Sequence, residues 1–222
     1  MKTERDEIIN RTMKLYVAAL SDAADAIGLG MVCMDRGIVP LTNNKRMAGF
    51  ARTGKLVRSP ATQPYDEKQL ETFMSLGTEA VYGDIIVIDM AGAADCSAWG
   101  QILTKIALPK GVKGALVDGT SRDIHDIDKM RFTVFARGTH PGTMRGRLDM
   151  ESVQKSIVCG GITVNPGDLI FGDVDGVIVI PADKIDAVLK HAEEVVKTDE
   201  WWSEKLDDGE DPYDLHKEKP IP

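Results

Sequence analysis

The sequence predicts an α/β fold in one domain, with part of its sheet parallel. In the middle of the chain, apolar segments typical of buried strands alternate with segments of helical periodicity, and this β-α-β-α-β order is typical of parallel strands. A later turn-strand-turn-strand segment predicts a hairpin. The 222 residues are 43% hydrophobic and 28% charged, which suits a globular protein, and no linker divides them.

The N-terminal segment 3–27 is predicted to be helical because its apolar residues recur at helical spacing. Ser21 is expected to cap a second, short helix within this segment, and Gly28 is expected to end it. The apolar residues that carry the helical spacing are Ile9, Met13, Tyr16, Val17 and Leu20.

The central elements are assigned from β-branched runs, amphipathic periodicity and Gly, Pro or Asn turn signals. After a loop at 37–46, the predicted elements are a strand at 47–58, an amphipathic helix at 66–77 closed by Gly77, a strand within 82–92, a helix at about 100–108, a strand at 114–117, a short helix from about 123 and a strand at 132–136.

The C-terminal part begins with the predicted hairpin at 165–181, which repeats the Gly-Asp entry of the strand within 82–92. An amphipathic helix is predicted at 182–197, with Asp183 as its cap. The polar segment 201–222 carries Trp201, Trp202 and Tyr213, so it is either a strap across a neighbouring subunit or a solvated tail. The predicted organisation is therefore a domain at 1–200 and a tail at 201–222.

Composition and sequence pattern argue against several partners and cellular locations. A formal net charge of -8 disfavours nucleic acid and anionic membrane surfaces. The three cysteines form no CxxC pair and are expected to be reduced thiols of a cytoplasmic protein. The charged, amphipathic N-terminal segment does not resemble a signal peptide, and no apolar run approaches the roughly 18 residues of a membrane span.

Arg122 and Asp123 follow the predicted strand 114–117 and its turn, at the edge where α/β proteins usually bind ligands. Gly119 is expected to permit a tight turn and close ligand approach. Arginine offers a planar fork for a carboxylate or carbonyl oxygen, and aspartate offers hard oxygens for a divalent cation. The alternative is that Asp123 caps the following helix and Arg122 pairs with a surface carboxylate.

Gly100 precedes a predicted helix whose first N–H groups belong to Gln101, Ile102 and Leu103. Such N–H groups attract a small carboxylate, although an ordinary helix start with a glycine entry is the better explanation of this pattern taken alone. Together with Arg122 and a metal on Asp123, they fit an α-keto acid, whose carboxylate and carbonyl are adjacent. This is the logic of a metal-dependent aldolase or β-decarboxylase.

The segment 134–147 places Arg137, His140, Arg145 and Arg147 among three glycines. It either lines the mouth of an anionic-substrate site or forms a loop with solvated arginines. No GxSxG, P-loop or GxGxxG motif is present, so serine hydrolases, nucleoside triphosphatases and dinucleotide-binding enzymes find no support.

The motifs "SDAADAIG", "DGTSRD", "VFARG" and "VNPGDLIFGDVDGVIVIP", with the Gly100 helix entry, occur in an order that resembles the RraA-like family up to about residue 197. This family includes 4-hydroxy-4-methyl-2-oxoglutarate/4-carboxy-4-hydroxy-2-oxoadipate aldolases and regulators of ribonuclease E activity. The resemblance implies a β/β/α swivelling-domain fold, a homotrimer or hexamer built as a dimer of trimers, and sites between subunits.

The resemblance also implies residue roles. Arg122 would bind substrate, Asp123 would hold Mg²⁺ or Mn²⁺ largely through waters, and the backbone amides of the segment 100–103 would bind a pyruvyl carboxylate. Such aldolases release pyruvate and also decarboxylate oxaloacetate through the same enolate. Asp123 favours the enzyme branch, whereas Gln101 stands where aldolases carry an acidic residue.

The expected function is therefore a divalent-metal-dependent lyase acting on a pyruvyl-containing keto-dicarboxylate. Arg122 is expected to polarise the carbonyl and Asp123 to anchor the metal. A metal-bound water, steered either by Gln101 or by a carboxylate of a neighbouring subunit, is expected to move the proton. The alternatives are a non-catalytic regulator that binds a ribonuclease or helicase, and a different hydroxy-acid lyase on the same scaffold.

Overall fold

The computed structural model describes residues 2–60 and 67–220. The α-helices of these residues are α1 Lys2–Thr12, α2 Val17–Ala26, α3 Glu67–Thr78, α4 Gln101–Ala107, α5 Ile124–Lys129, α6 Ile185–Asp207 and α7 Pro212–Glu218. Short 3₁₀ helices at Leu108–Lys110 and Ala182–Lys184 continue α4 and precede α6. None of these helices has the length and apolar character needed to cross a bilayer.

The strands form one large mixed sheet and a separate hairpin. They are β1 Val39–Pro40, β2 Met47–Arg58, β3 Asp84–Asp89, β4 Ser97–Trp99, β5 Gly114–Ser121, β6 Thr133–Thr139, β7 Leu148–Val153, β8 Ile157–Cys159, β9 Ile162–Val164, β10 Leu169–Asp173 and β11 Gly176–Ile180. In the described residues the large sheet runs β1-β6-β5-β3-β2-β10-β11, with β4 on β5 and β7 on β2, and β8 pairs with β9.

The parallel centre of the sheet confirms the predicted β-α-β-α-β order. β2, β3, β5 and β6 are parallel neighbours, and β10 and β11 form the predicted antiparallel hairpin. On the side of β5 away from β6, residues 114–118 pair with β3, whereas Thr120 and Ser121 pair with β4. The end of β5 is therefore held beside the strand that leads into α4.

Apolar side chains bury both faces of the central strands, as is usual for parallel sheets. On β5, Ala115 and Val117 pack under α3, α4 and α5, while Leu116 faces the opposite core, which the β8–β9 hairpin covers. A third apolar cluster joins α1, α2 and α6 to β10 and β11. The helices α3, α4 and α5 thus share one face of the sheet, and the cleft described below lies on that side.

The start of α2 corrects one prediction. The helix begins at Val17, not at Ser21, and Gly28 follows its end with φ +74°, as expected. The N–H of Val17 donates to the Asp173 carboxylate at 2.9 Å, across 156 positions of sequence. A buried carboxylate from β10 therefore takes the capping role that the sequence assigned to a local serine.

The C-terminal helix also differs from its prediction. A 3₁₀ turn occupies residues 182–184, so Asp183 does not cap α6. α6 runs on through Trp201 and Trp202, across the predicted boundary at residue 200. Trp202 is buried and its Nε1 donates to the carbonyl of Lys219 at 3.0 Å, so α7 packs back on α6. A strap across a neighbouring subunit stays a prediction.

Gly119 lies inside β5 and not in a turn, because β5 extends four residues beyond the predicted 114–117. A Cβ at this position would lie 2.9 Å from the Cβ and Cγ of Met90, which is closer than packed carbons approach. Glycine is needed at position 119 because the side chain of Met90 packs against the backbone there, and not because a ligand approaches.

Replacing Gly119 with alanine is therefore expected to overpack this contact. We expect a loss of about 1–3 kcal/mol in unfolding free energy, which thermal or urea unfolding measures. In a Gly119→Ala/Met90→Ala double variant the loss should be less than the sum of the two single losses, because Cγ and Sδ of Met90 are gone and only its Cβ still meets the added methyl group. An unchanged melting temperature in Gly119→Ala would show that the core accommodates the methyl group.

Candidate active site

Two hydrogen bonds join the ends of β4 and β5. The N–H of Arg122 and the hydroxyl of Ser121 both donate to the carbonyl of Trp99, at 3.0 and 3.1 Å. Because Trp99 ends β4 and Gly100 opens α4, these bonds place the first turn of α4 beside Arg122 and Asp123. The two elements that the sequence predicted separately therefore meet at one edge of the sheet.

Gly100 makes this close approach possible. Its backbone is extended, with φ −163°, a conformation open to any residue. A Cβ at Gly100 would instead lie 2.8 Å from Oδ2 of Asp123 and 3.3 Å from Cγ of Arg122. Glycine is required because the two charged side chains occupy the space that a side chain would take.

Gly100→Ala is accordingly expected to displace Arg122 and Asp123 while the backbone keeps its path. Small displacements of reacting groups are costly. With the keto acids that the sequence predicts as substrates, we expect kcat/KM to fall about tenfold, with little change in melting temperature. Lys105→Ala, in the same helix and exposed, is the control and should keep the wild-type value. Wild-type activity in Gly100→Ala would contradict the importance of this spacing.

Asp123 has a strained backbone and a defined partner. Its φ and ψ are 57° and 29°, in the left-handed region that residues other than glycine seldom adopt. It stands at the N-cap of α5, but its side chain makes no capping bond there. Oδ2 accepts from the N–H of Gln101 at 3.2 Å instead, so the carboxylate caps α4. Strain of this kind is frequently kept at functional sites.

The Arg122 guanidinium is held beside this carboxylate. Its Nε lies 3.7 Å from Oδ2 of Asp123, and Nη1 donates to the carbonyl of Pro141 at 3.5 Å. The side chains of Arg122 and Asp123 are 40% and 32% exposed, so both reach solvent. The pair presents one cation and one anion to the same opening.

Trp99 fixes the start of α4 from below. Its Nε1 donates to the hydroxyl of Thr104 at 2.9 Å, and that hydroxyl donates to the carbonyl of Gly100 at 3.1 Å. The indole stacks on Phe132, with ring centroids 5.9 Å apart and planes 12° apart. All three side chains are buried, so the floor of the site is a packed part of the core.

Arg122, Asp123 and Gly100 line a cleft of about 280 Å³. Ile102 and Leu103, in the first turn of α4, also line it, and helix N–H groups in this turn have no intrahelical partner. The N–H of Gln101 is already bonded to Asp123, and Gln101 is not among the described residues that line the cleft. The other lining residues are Gln69, Leu70, Phe73, Met74, Ser97, Ala98, Trp99, Ile106, Thr143, Met144, Arg145 and Leu148.

Of the four side chains predicted around the glycine-rich segment, Arg145 reaches this cleft. Arg137 lies elsewhere and pairs with Asp118 and Asp35 at 2.5 and 2.8 Å. Arg147 donates to the carbonyl of Thr143, and Nδ1 of His140 accepts from the N–H of Gly142. These two side chains hold the loop that carries Thr143, Met144 and Arg145.

The cysteines contribute no activated nucleophile to this cleft. Cys96 and Cys159 are buried, and burial raises the pKa of both thiols above the ordinary value. Cys33 is exposed, and it lies beside Ser21 on α2. The charged chemistry of the described cleft therefore rests on Arg122, Asp123 and Arg145.

The donor groups of the cleft suit some metal ions and not others. Within the described residues, no three His, Cys, Asp or Glu side chains lie close enough to hold a metal between them. Asp123 carries the one carboxylate among the described lining residues, and one of its oxygens takes a backbone N–H. This set does not fit a zinc centre, but it fits Mg²⁺, which keeps several waters and uses one or two carboxylates.

A family model described as RraA-like, Aldolase/RraA, matches residues 17–179, which is most of the chain. The chain belongs to the RraA-like family. A protein of Halalkalibacterium halodurans, whose name proposes a 4-hydroxy-4-methyl-2-oxoglutarate aldolase, is 32% identical over 87% of this chain and 86% of its own length.

One further relative and one solved structure show how far the similarity to RraA-like proteins extends. Protein DlpA of Legionella pneumophila is 31% identical over 87% of this chain, which spans 30% of the length of DlpA. The structure of Streptomyces coelicolor RraAS2, described as an unusual member of the RNase ES inhibitor RraA protein family, matches with a TM-score of 0.78 at 22% identity, over 89% of this chain and 96% of that one. The predicted swivelling α/β fold is thereby confirmed.

The cleft also contains residues that the sequence did not single out. Leu70, Phe73 and Met74 of α3 line it, together with Thr143 and Met144 of the opposite loop. In the sequence, the apolar stripe of α3 is indistinguishable from an ordinary core-facing stripe, since both follow helical spacing. Its part in the site depends on where α3 packs.

Proposed function

We propose that this chain is a divalent-metal-dependent carbon–carbon lyase that cleaves pyruvyl-containing keto acids, with keto-dicarboxylates such as oxaloacetate as the first class to test. The observation that carries the proposal is the pairing of Arg122 and Asp123 at the lip of a cleft, against the first turn of α4. The aldolase named among the relatives supports the reaction class.

The chemistry breaks the bond between C3 and C4 of the substrate. The bonding electrons pass into the C2 carbonyl, which gives the enolate of pyruvate, and C4 leaves as carbon dioxide or as a second carbonyl compound. Protonation of C3 then gives pyruvate. In aldol cleavage the C4 hydroxyl also loses its proton. Neither reaction needs an oxidant or a reductant.

Each residue has a role in stabilising that enolate. The Arg122 guanidinium would hold the C2 oxygen as negative charge develops on it. The N–H groups of Ile102 and Leu103 would hold the pyruvyl carboxylate, and α4 continues into a 3₁₀ turn that lengthens this helical segment. Gln101 fixes the Asp123 carboxylate through its N–H, while a role for its side chain in steering a water stays a prediction.

Asp123 would hold Mg²⁺ or Mn²⁺, which supplies Lewis-acid polarisation of the keto acid. We further propose that the chain forms a homotrimer or a dimer of trimers in the cytoplasm, and that a carboxylate of a neighbouring subunit assists in proton transfer. The side chain of Ile102, 63% exposed at the mouth of the cleft, is available to such a neighbour.

The deciding experiment is the decarboxylation of oxaloacetate by purified protein, with pyruvate detected by a coupled dehydrogenase. We expect turnover with Mg²⁺ or Mn²⁺, and a return to the background rate of metal and oxaloacetate alone when EDTA is added. A protein that never exceeds this background with either metal would contradict the lyase and favour the regulator that binds a ribonuclease.

A further inference from the structure

Two successive peptide units connect β4 to α4, and hydrogen bonds from the end of β5 reach both of them. In the first unit, the carbonyl of Trp99 accepts from the N–H of Arg122 at 3.0 Å. The second unit joins the carbonyl of Gly100 to the N–H of Gln101, and this N–H donates to Oδ2 of Asp123 at 3.2 Å. The orientation of the second unit therefore decides where the Asp123 carboxylate is held.

Thr104 holds the carbonyl of that second peptide unit. Its hydroxyl donates to the carbonyl of Gly100 at 3.1 Å and accepts from Nε1 of Trp99 at 2.9 Å. Because an indole N–H can only donate, the hydroxyl proton has to point at the Gly100 carbonyl. One chain of hydrogen bonds thus runs from the indole through the hydroxyl and the peptide unit to the Asp123 carboxylate.

The position of this peptide unit depends on its hydrogen bonds. Glycine restricts the rotation of the peptide unit that follows it less than other residues do, and position 100 has to be glycine because of the adjacent side chains of Arg122 and Asp123. Thr104 and Trp99 are 0% and 1% exposed, so their hydrogen bonds lie in the protein interior. In such surroundings hydrogen bonds in series strengthen one another.

We infer that Thr104 is a positioning residue for the cation site: its hydroxyl fixes the peptide unit between Gly100 and Gln101, and that unit fixes the Asp123 carboxylate. The inference rests on the proposed function, in which Asp123 holds Mg²⁺ or Mn²⁺. Thr104 is not among the described residues that line the cleft, so it acts through the peptide unit and not by contact with the substrate.

Thr104→Val tests the inference, because valine has nearly the same shape as threonine and no hydroxyl. The readout is the Kd for Mn²⁺ without substrate, measured from the electron paramagnetic resonance signal of free Mn²⁺. We expect this Kd to rise about tenfold, since the loss of a group that orients a metal ligand weakens metal binding by that order. Thr104→Ser restores the hydroxyl and should keep nearly the wild-type Kd.

Thr12→Val is the matched control. Thr12 is also 0% exposed, and its hydroxyl donates to the carbonyl of Ile8 at 2.8 Å, the same bond to the preceding helical turn that Thr104 makes. It lies in α1, outside the described lining of the cleft, so its Kd for Mn²⁺ should equal that of wild type. Equal weakening in Thr12→Val, or a Thr104→Ser protein as weak as Thr104→Val, would overturn the inference.

A double variant separates positioning from stability. Thr104→Val leaves the buried Nε1 of Trp99 without its acceptor, which destabilises the fold. Trp99→Phe/Thr104→Val removes donor and hydroxyl together, so its loss of stability should be less than the sum of the two single losses. Its Kd for Mn²⁺ should stay as high as that of Thr104→Val. Should Thr104→Val fail to fold, the double variant carries the test, and a wild-type Kd in it would overturn the inference.

Oxaloacetate turnover separates this inference from the proposed function. In Thr104→Val the loss of turnover should shrink as Mg²⁺ is raised, because added cation compensates for a weaker site. A loss that is the same at every Mg²⁺ concentration, with an unchanged Kd for Mn²⁺, would overturn the inference and leave the lyase intact.

The wild-type protein gives the remaining outcomes. If it binds Mn²⁺ without metal-dependent turnover, the lyase is wrong, and the ratio of the two Kd values still decides the role of Thr104: a raised Kd in Thr104→Val supports it and an equal Kd overturns it. A wild-type protein that binds no Mn²⁺ would overturn both proposals.

Discussion

Arg122→Ala is expected to lower kcat for oxaloacetate decarboxylation by about 10²–10³-fold. The guanidinium is the cation beside Asp123 at the lip of the cleft, and removing one donor to a developing oxyanion has an effect of that size in other enzymes. Arg122→Lys keeps the charge but loses the planar fork, so its activity should fall between those of wild type and alanine.

The control for Arg122 is Arg36→Ala, which removes the same charge from an exposed position outside the described lining of the cleft. Its kcat should stay at the wild-type value. Thermal unfolding of Arg122→Ala should change little, because Arg122 contacts a partly exposed carboxylate at 3.7 Å and a carbonyl at 3.5 Å. Near-native turnover in Arg122→Ala would refute the site assignment.

Asp123→Asn is expected to abolish the stimulation by Mg²⁺, with a loss of about 10²-fold in metal-dependent turnover. Asparagine has nearly the same shape and tolerates the left-handed backbone at this position, so the change removes charge while the local fold is kept. The amide oxygen can still accept from the N–H of Gln101. In this variant the metal-dependent turnover should therefore fall while the stability of the fold is kept.

Asp126→Asn is the matched control, since Asp126 lies one turn further along on α5 and pairs with Lys129 outside the described lining. Its dependence on Mg²⁺ should equal that of wild type. Titration of activity against metal concentration measures both proteins. An Asp123→Asn protein with an unchanged metal requirement would place the cation elsewhere in the cleft.

Much of the fold follows from local pattern. The strand predicted at 47–58 has the same bounds as β2, and the helices predicted near 100–108 and 123 match α4 and α5 closely. The helix predicted at 66–77 matches α3, although Asp66 lies outside the described residues. These elements have clear periodicity and turn residues, and such signals act over a few positions.

The caps could not be predicted in the same way. The sequence predicted local caps, Ser21 for α2 and Asp183 for α6, and offered a cap of α5 as the alternative to a metal-binding role for Asp123. In the structure Asp173 caps α2 and Asp123 caps α4. To cap a helix, a carboxylate has to lie near the helix start in space but not in sequence. The folded sheet brings such groups from distant positions of the chain.

The sequence by itself determined the α/β class, the parallel central strands and the position of Arg122 and Asp123 at the end of a strand, because strand and helix periodicities are local properties. The tertiary structure decided that Gly100 makes room for those two side chains, that Gly119 makes room for Met90, and that α3 supplies an apolar wall. These features depend on close packing between elements far apart in the chain, and contacts of that kind exist only once the sheet has formed.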